Sequence, residues 1–143
     1  MANYYESART NYFLVKSIDE FKNEPVIDAL LKNGSIQINT KEQGGKTYVT
    51  ILATNDNGNG FPFDIYDEGT IDDYVEIDWE GIFANHLQDD SVAIIMGAGA
   101  EKLRYIHGYA IAFNNKGETK VLHLTDIYKL AQELGNDIQK AEY

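Results

Sequence analysis

The fold of this chain is decided by a C-terminal stretch, SVAIIMGAGAEKLRYIHGYAIAFNNKGETKVLHL, at residues 91–124. Its first part, SVAIIMG, is a continuous apolar run that is typical of a buried central strand. RYIHGYAIAF at 104–113 and ETKVLHL at 118–124 also have strand character, and the Asn-Asn-Lys-Gly between them is a favourable hairpin turn. The stretch therefore predicts three consecutive strands.

The N-terminal part predicts another strand and two short helices. NYFLVK at 11–16 has strand character, and Ser17 with Glu20 forms a capping box that opens a helix. Pro25 interrupts the helical pattern, because it removes a backbone donor. We therefore expect a kink or two short helices that end at Gly34.

Two further strands and a long loop are predicted in the middle of the chain. SIQIN at 35–39 and KTYVTILA at 46–53 alternate as strands do, and Gln43-Gly44-Gly45 between them is typical of a hairpin turn. TNDNGNGFP at 54–62 is rich in turn residues, which predicts a loop that runs on to about Val75.

Two more helices are predicted after this loop. Asp78 is an N-cap candidate for a helix from Trp79 to Gln88, and Thr125 for a last helix before Gly135. The predicted class is α+β, with a mainly antiparallel sheet of about five to six strands and two to three helices packed on it. At 143 residues we expect a single domain, 1–143.

The negative charge is concentrated in the middle of the chain. No lysine or arginine occurs for 55 residues between Lys46 and Lys102, and 12 of the 23 acidic residues lie in that interval. Nearly all of the net charge of −11 therefore comes from the middle third. Such asymmetry bears on solubility and on partners rather than on fold.

Composition excludes several classes of function. There is no cysteine, so disulfides, thiolate zinc sites and thiol nucleophiles are excluded. A pI near 4.5, with no cluster of Lys and Arg, argues against nucleic acid or anionic lipid as a ligand. No apolar run approaches the 18 residues of a membrane span, and the N-terminus, MANYYESART, has no apolar core of a signal peptide, so we expect a cytoplasmic protein. We expect no cofactor.

Two patterns resemble binding motifs, but both favour a structural role. From Asp64 the acids and Gly69 partly follow an EF-hand loop, yet Tyr66 stands at position 3 and Val75 at position 12, where the bidentate Glu belongs. A solvated acidic loop is the favoured interpretation. Gly97-Ala-Gly99 is a lone GxG, which favours a bulge or a connection between strands over a dinucleotide site.

The histidines of the predicted C-terminal hairpin form a third candidate site. Its turn would place His107 opposite residue 123 or 124, so a pair with His123 could hold a metal together with a carboxylate. Two structural histidines are the favoured interpretation.

The acidic segment itself is the main candidate for partner binding. Residues 60–81 hold eight carboxylates and no base, interleaved with aromatic residues. Aromatic anchors surrounded by charge are typical of protein interfaces, because charge speeds encounter and the rings hold the partner. The predicted partner-binding residues are Asp64, Tyr66, Asp67, Glu68, Asp72, Asp73, Tyr74, Glu76, Asp78 and Glu80. Which of the aromatic residues between 61 and 79 enter the core is open at this point.

Three segments resemble one family. NYYESARTNYFLVK at 3–16, VAIIMGAGAEKLRYIHGYAIAFNNKGET at 92–119 and TDIYKLAQELG at 125–135 are similar to a family of small acidic uncharacterised proteins carried by phages, plasmids and conjugative elements. The resemblance covers about half of the chain and brings no catalytic residues. It implies a role in host takeover, including anti-restriction or anti-CRISPR activity.

The sequence thus predicts a non-enzymatic binding protein that presents an anionic surface, about residues 56–90, to a basic site on another protein. Its most specific form is a DNA mimic whose partner is a nucleic-acid-binding defence protein. The alternative is a small-ligand, Ca²⁺ or other metal-binding domain that uses the acidic loop. A hydrolase without a recognisable motif ranks third.

Overall fold

The structure is a computed structural model, and it describes residues 4–54, 60–66, 74–101 and 105–141. Its elements, in chain order, are β1 (Tyr4–Thr10), α1 (Ile18–Asn23), α2 (Pro25–Lys32), β2 (Ile36–Gln43), β3 (Lys46–Ala53), β4 (Asp64–Tyr66), β5 (Tyr74–Glu76), α3 (Trp79–His86), β6 (Ala93–Glu101), β7 (Tyr105–Phe113), β8 (Thr119–His123) and, after a 3₁₀ turn at Leu124–Asp126, α4 (Ile127–Ala131).

Six strands form one antiparallel sheet in the order β2-β3-β1-β6-β7-β8, and β4 pairs with β5 in a separate small sheet. The predicted α+β class is confirmed. Strands β6, β7 and β8 follow one another as the sequence predicts, while β1 joins them to the β2–β3 hairpin. At the turn of that hairpin, Gly44 and Gly45 both have positive φ, at 61° and 76°, which glycine adopts without strain.

Pro25 divides the first helical segment into α1 and α2, as predicted. The Ser17 hydroxyl accepts a hydrogen bond from the Glu20 amide at 3.2 Å. Pro25 begins α2, where its missing N–H costs nothing, and the Glu24 carboxylate accepts from two amides of the first turn. These caps fix two short helices over the sheet.

One face of the large sheet carries the core. Helices α1, α2 and α3 contribute Phe21, Ile27, Leu30, Trp79, Ile82 and Phe83 to it, and the strands contribute Ile36, Val49, Ile51, Ala93, Ile95 and Phe113. Phe13 lies between them, with its ring edge-on to both Phe21 and Phe83. Helices α1 to α3, the small β4–β5 sheet and the core thus share one side of the sheet.

The N-terminal strand differs from the prediction. The paired strand is β1, at Tyr4–Thr10, whereas the predicted strand at 11–16 makes only two isolated bridges, Phe13↔Val49 and Val15↔Leu87. The cause is local side-chain bonding. The Thr10 hydroxyl accepts from the Ile51 amide, and the Asn11 side chain bonds to both Val92 and Ile94, so side chains replace the regular ladder.

Candidate functional site

The β4–β5 hairpin places acids and tyrosines on one outward face. Asp64 is opposite Glu76, and Tyr66 is opposite Tyr74. The two tyrosine rings are edge to face, with their centroids 5.7 Å apart. All four side chains are exposed, whereas Ile65 on the reverse side packs against the core. The hairpin lies inside the segment for which the sequence predicts a loop, and each of its strands has only three residues.

The chain then continues into α3, which adds two more carboxylates. The Asp78 side chain caps the helix by accepting from the Gly81 amide at 3.0 Å, and Glu80 follows one residue into the first turn. The buried residues Ile77 and Trp79 alternate with these exposed acids. We call the six exposed side chains the acidic surface: Asp64, Tyr66, Tyr74, Glu76, Asp78 and Glu80.

A cleft of about 470 Å³ opens along the acidic surface. Glu76, Asp78 and Glu80 line it, together with apolar groups that include Phe63 and Trp79. The remaining lining residues are Ile77, Ile111, Phe113 and Thr119. A site with an apolar floor and carboxylates at its edge is suited to a ligand that has a cationic group on an apolar stem, such as an arginine or lysine side chain.

No ion pair neutralises the acidic surface within the described ranges. The ion pairs found there, Lys32–Asp28 and His107–Glu6, involve none of its four carboxylates. Asp64 and Glu76 lie directly opposite each other on paired strands, an arrangement that costs stability when both are charged. Four of the predicted partner-binding residues, Asp67, Glu68, Asp72 and Asp73, lie outside the described residues.

The aromatic residues of this segment divide between core and surface. Phe61 and Trp79 are buried, with ring centroids 5.1 Å apart, while Tyr66 and Tyr74 are exposed. The Trp79 indole N–H donates to the Pro62 carbonyl at 2.8 Å. This bond ties the start of α3 to the segment that enters β4, and so fixes one side of the cleft.

A buried carboxylate holds that segment against the sheet. Glu6 on β1 accepts from the Tyr109 hydroxyl at 3.0 Å and lies 3.0 Å from His107 Nε2. Only 10% of the Glu6 side chain is exposed. Gly60 has φ of 80°, and a Cβ there would collide with the Glu6 carboxylate, so glycine is required.

Burial and the negative charge of Glu6 raise the pKa of Tyr109 above its usual value, although a hydrogen bond with the Phe61 backbone opposes the shift. Sequence reasoning missed this cluster. The sequence offers no local signal for it, because the orientation of Glu6 toward the covered face follows from the pairing of β1 with β6.

The predicted opposition of His107 and His123 is wrong. His123 pairs with Tyr109, because the turn takes five residues and Phe113 pairs with Thr119. Within the ranges that the structure describes, no group of three or more His, Asp or Glu side chains is placed to hold a metal. Most of the EF-hand-like loop, residues 67–73, lies outside the described residues.

The glycines at 97 and 99 form no dinucleotide turn, and no bulge or connection either. Both lie inside β6, paired regularly with β1 and β7. The Tyr109 ring occupies the space above Gly97, so the glycine makes room for a side chain of the neighbouring strand.

Among the described helices, none is long and apolar enough to span a lipid bilayer. Comparisons with known protein families, with curated proteins and with solved structures return no match to this chain.

Proposed function

We propose that this chain is a non-enzymatic, cytoplasmic binding protein whose acidic surface engages a basic site on a partner protein. The observation that carries the proposal is the outward face of the β4–β5 hairpin. Two carboxylates and two tyrosines are exposed there together, and Asp78 and Glu80 continue the surface along the cleft.

The electrostatic cost of this arrangement supports a binding role. Opposed carboxylates such as Asp64 and Glu76 repel one another in the free protein. A partner's lysine or arginine would relieve that repulsion on binding. The exposed rings of Tyr66 and Tyr74 would add apolar contact with little loss of conformational entropy.

The most specific form of the proposal is DNA mimicry at a nucleic-acid-binding defence protein. The resemblance of residues 3–16, 92–119 and 125–135 to proteins of mobile elements supports it, since such elements gain from blocking host restriction. The charge pattern supports it as well, because a basic groove that binds phosphates also attracts a fixed row of carboxylates.

The test compares two variants that change the net charge equally. In the first, the acidic surface is neutralised by Asp64→Asn, Glu76→Gln, Asp78→Asn and Glu80→Gln; asparagine at 78 keeps the helix cap. In the control, four exposed acids elsewhere are neutralised by Asp19→Asn, Glu20→Gln, Glu42→Gln and Glu133→Gln.

Immobilised wild-type protein and both variants are used to capture proteins from a bacterial lysate at about 50 and about 500 mM salt, with duplex DNA as competitor. We expect the wild type and the control to capture the same basic proteins at low salt, and high salt or DNA to release them. The surface variant should bind them about ten- to a hundredfold more weakly. Equal capture by the two variants would contradict the proposal.

A further inference from the structure

The large sheet has a second face, opposite the core, which we call the open face. Side chains alternate along a strand, and the odd-numbered residues of β7 pack toward the core. Its even-numbered residues Gly108, Ala110 and Ala112 therefore form a line of small residues on the open face. Met96 on β6 and Leu122 on β8 both lie opposite Ala110 and flank this line. The open face thus has a shallow apolar groove along β7.

The two ends of this groove differ. At one end, the Cβ of Leu124 is 3.7 Å from the position that a Cβ on Gly108 would take. At the other end is a cavity of about 260 Å³, whose lining includes Val92, Ala112 and Lys120. The side walls are exposed to solvent, since Met96 and Leu122 are both among the exposed large apolar residues. The groove therefore begins where the chain leaves β8 and ends at a small cavity.

The chain that leaves β8 carries an exposed apolar stripe of its own. We call residues 125–135, which include α4, the C-terminal strap. Ile127, Leu130 and Leu134 recur at helical spacing and share one side of it, and each is more than half exposed. The amides of residues 132–134 bond to carbonyls three residues earlier, so the helical path continues beyond α4 to Leu134.

We propose that the C-terminal strap closes over the groove, with its apolar stripe against β7. The strand advances about 13 Å from Gly108 to Ala112. A helix from residue 125 to residue 134 advances about 13.5 Å. A strap that starts at Leu124, beside Gly108, therefore brings Leu134 to the cavity at the other end. The structure holds the open form, in which the stripe and the groove walls are both exposed. Closure and opening of the strap control access to the groove.

The width of the groove suits a single helix from the same chain. Its walls stand on β6 and β8, and strands lie about 4.8 Å apart, so the walls are about 10 Å from each other. That is about the diameter of a helix. The strap is attached at one end of the groove, so its effective concentration there is high and no association of separate molecules is needed. The polar half of the open face, on β1 to β3, stays in water.

The charges on the two sides also favour closure. The strap carries two acids and one lysine, a net charge of −1. Arg9 lies opposite Met96 on the neighbouring strand, and Lys120 lies opposite Ala112 at the far end. Glu118 also lines the cavity, so these border residues together carry a charge of +1. The strap and the border of the groove are therefore of opposite sign.

The test uses the absence of cysteine from the chain, because two introduced cysteines are then its only thiols. Ala112→Cys and Leu134→Cys should meet in the closed form, and a disulfide requires Cβ atoms about 3.5–4.5 Å apart. In the control pair, Val121→Cys replaces Ala112→Cys. Val121 is exposed and follows Lys120 on β8, so it points to the other side of the sheet.

In a glutathione buffer, the first pair should form an intramolecular disulfide at least about tenfold faster than the control pair, as followed by mass spectrometry. Adding Leu130→Glu to the first pair should slow this closure at least about tenfold, because it places a charge in the apolar contact. Gln132→Glu makes the same change of charge on the other side of the helix and should leave the rate unchanged. Circular dichroism should show that all of these variants are folded.

Three results would overturn the proposal. Equal rates for the two cysteine pairs would show that the strap does not reach the groove. Equal slowing by Leu130→Glu and Gln132→Glu would show that the apolar stripe does not make the contact. A disulfide that forms only between chains would assign the groove to a second copy. None of these substitutions changes the acidic surface, so the outcome is independent of the proposed function.

Discussion

Gly97→Ala should destabilise the protein, although alanine normally suits a strand better than glycine does. A Cβ at Gly97 would lie 2.6 Å from Tyr109 Cε1 and 2.7 Å from Cζ and Oη. Normal carbon contacts are about 3.5–4.0 Å, so the ring would have to retreat by about 1 Å. That movement also stretches the 3.0 Å bond from the Tyr109 hydroxyl to Glu6. Overpacking of this kind costs about 1–3 kcal/mol.

Gly108→Ala is the matched control, because Gly108 lies in the neighbouring strand and its nearest atoms would be at 3.5–3.8 Å, ordinary contact distances. Urea unfolding followed by circular dichroism should give Gly97→Ala a free energy of unfolding about 2 kcal/mol below the wild type. Gly108→Ala should be neutral or more stable by up to about 1 kcal/mol.

In a Tyr109→Ala background the same change at Gly97 should cost almost nothing, because the ring that it meets is gone. A cost that persists there, or equal stability of the two alanine variants, would refute the reasoning about this contact.

Three further predictions concern the groups that fix the acidic surface. Tyr109→Phe removes a donor to the buried Glu6 carboxylate and should lower the free energy of unfolding by about 1.5–3 kcal/mol in urea. The pKa of Tyr109 is higher in the folded protein than in the unfolded chain, so the stability that its protonated hydroxyl contributes is complete below pH 10 and is lost as the pH rises through the folded pKa. The free energy of unfolding above pH 10 should therefore fall less steeply in Tyr109→Phe than in the wild type. Equal slopes for the two proteins would contradict this. Trp79→Phe removes the bond to the Pro62 carbonyl and should cost about 1–3 kcal/mol in thermal unfolding, whereas an unchanged melting temperature would show that this bond is not needed. Asp78→Ala should lower the free energy of unfolding in urea by about 1 kcal/mol and Asp78→Asn by much less, since only alanine removes the helix cap. Equal decreases in the two variants would show that Asp78 acts through its charge and not through the cap.

Much of the sheet could be predicted because its strands have the expected periodicity. KTYVTILA is β3 from its first to its last residue, and the apolar run at 91–97 leads into β6. β1 was missed, because the residues that it turns to the covered face include Glu6, Ala8 and Thr10, which show no apolar alternation. Their environment comes from β6, about 90 residues away in the chain.

The remaining differences arise from interactions that no local pattern records. The Asn114 side chain accepts from the amides of Lys116 and Glu118, which lengthens the turn and shifts His123 to a position opposite Tyr109. The last helix ends at Ala131, well before the predicted Gly135, and its apolar residues Ile127 and Leu130 are exposed.

For the candidate site, the exposed acids could be predicted from composition, since carboxylates without partners stay in water. Which aromatic residues are buried could not be predicted, because their position depends on the contact between Gly60 and Glu6, which are 54 residues apart. Phe61, next to Gly60, and Trp79 are both buried in the core.

Trp79 forms part of the cleft wall and is the one tryptophan of the chain. Its ring is stacked on Phe83 at 5.6 Å, its indole nitrogen donates to a carbonyl, and only 3% of the residue is exposed, so the ring is shielded from water. Light emitted by this indole therefore comes from a single known location beside the carboxylates. A compound or peptide that enters the cleft should shift the emission spectrum without any attached dye, so occupancy can be titrated on the unmodified chain.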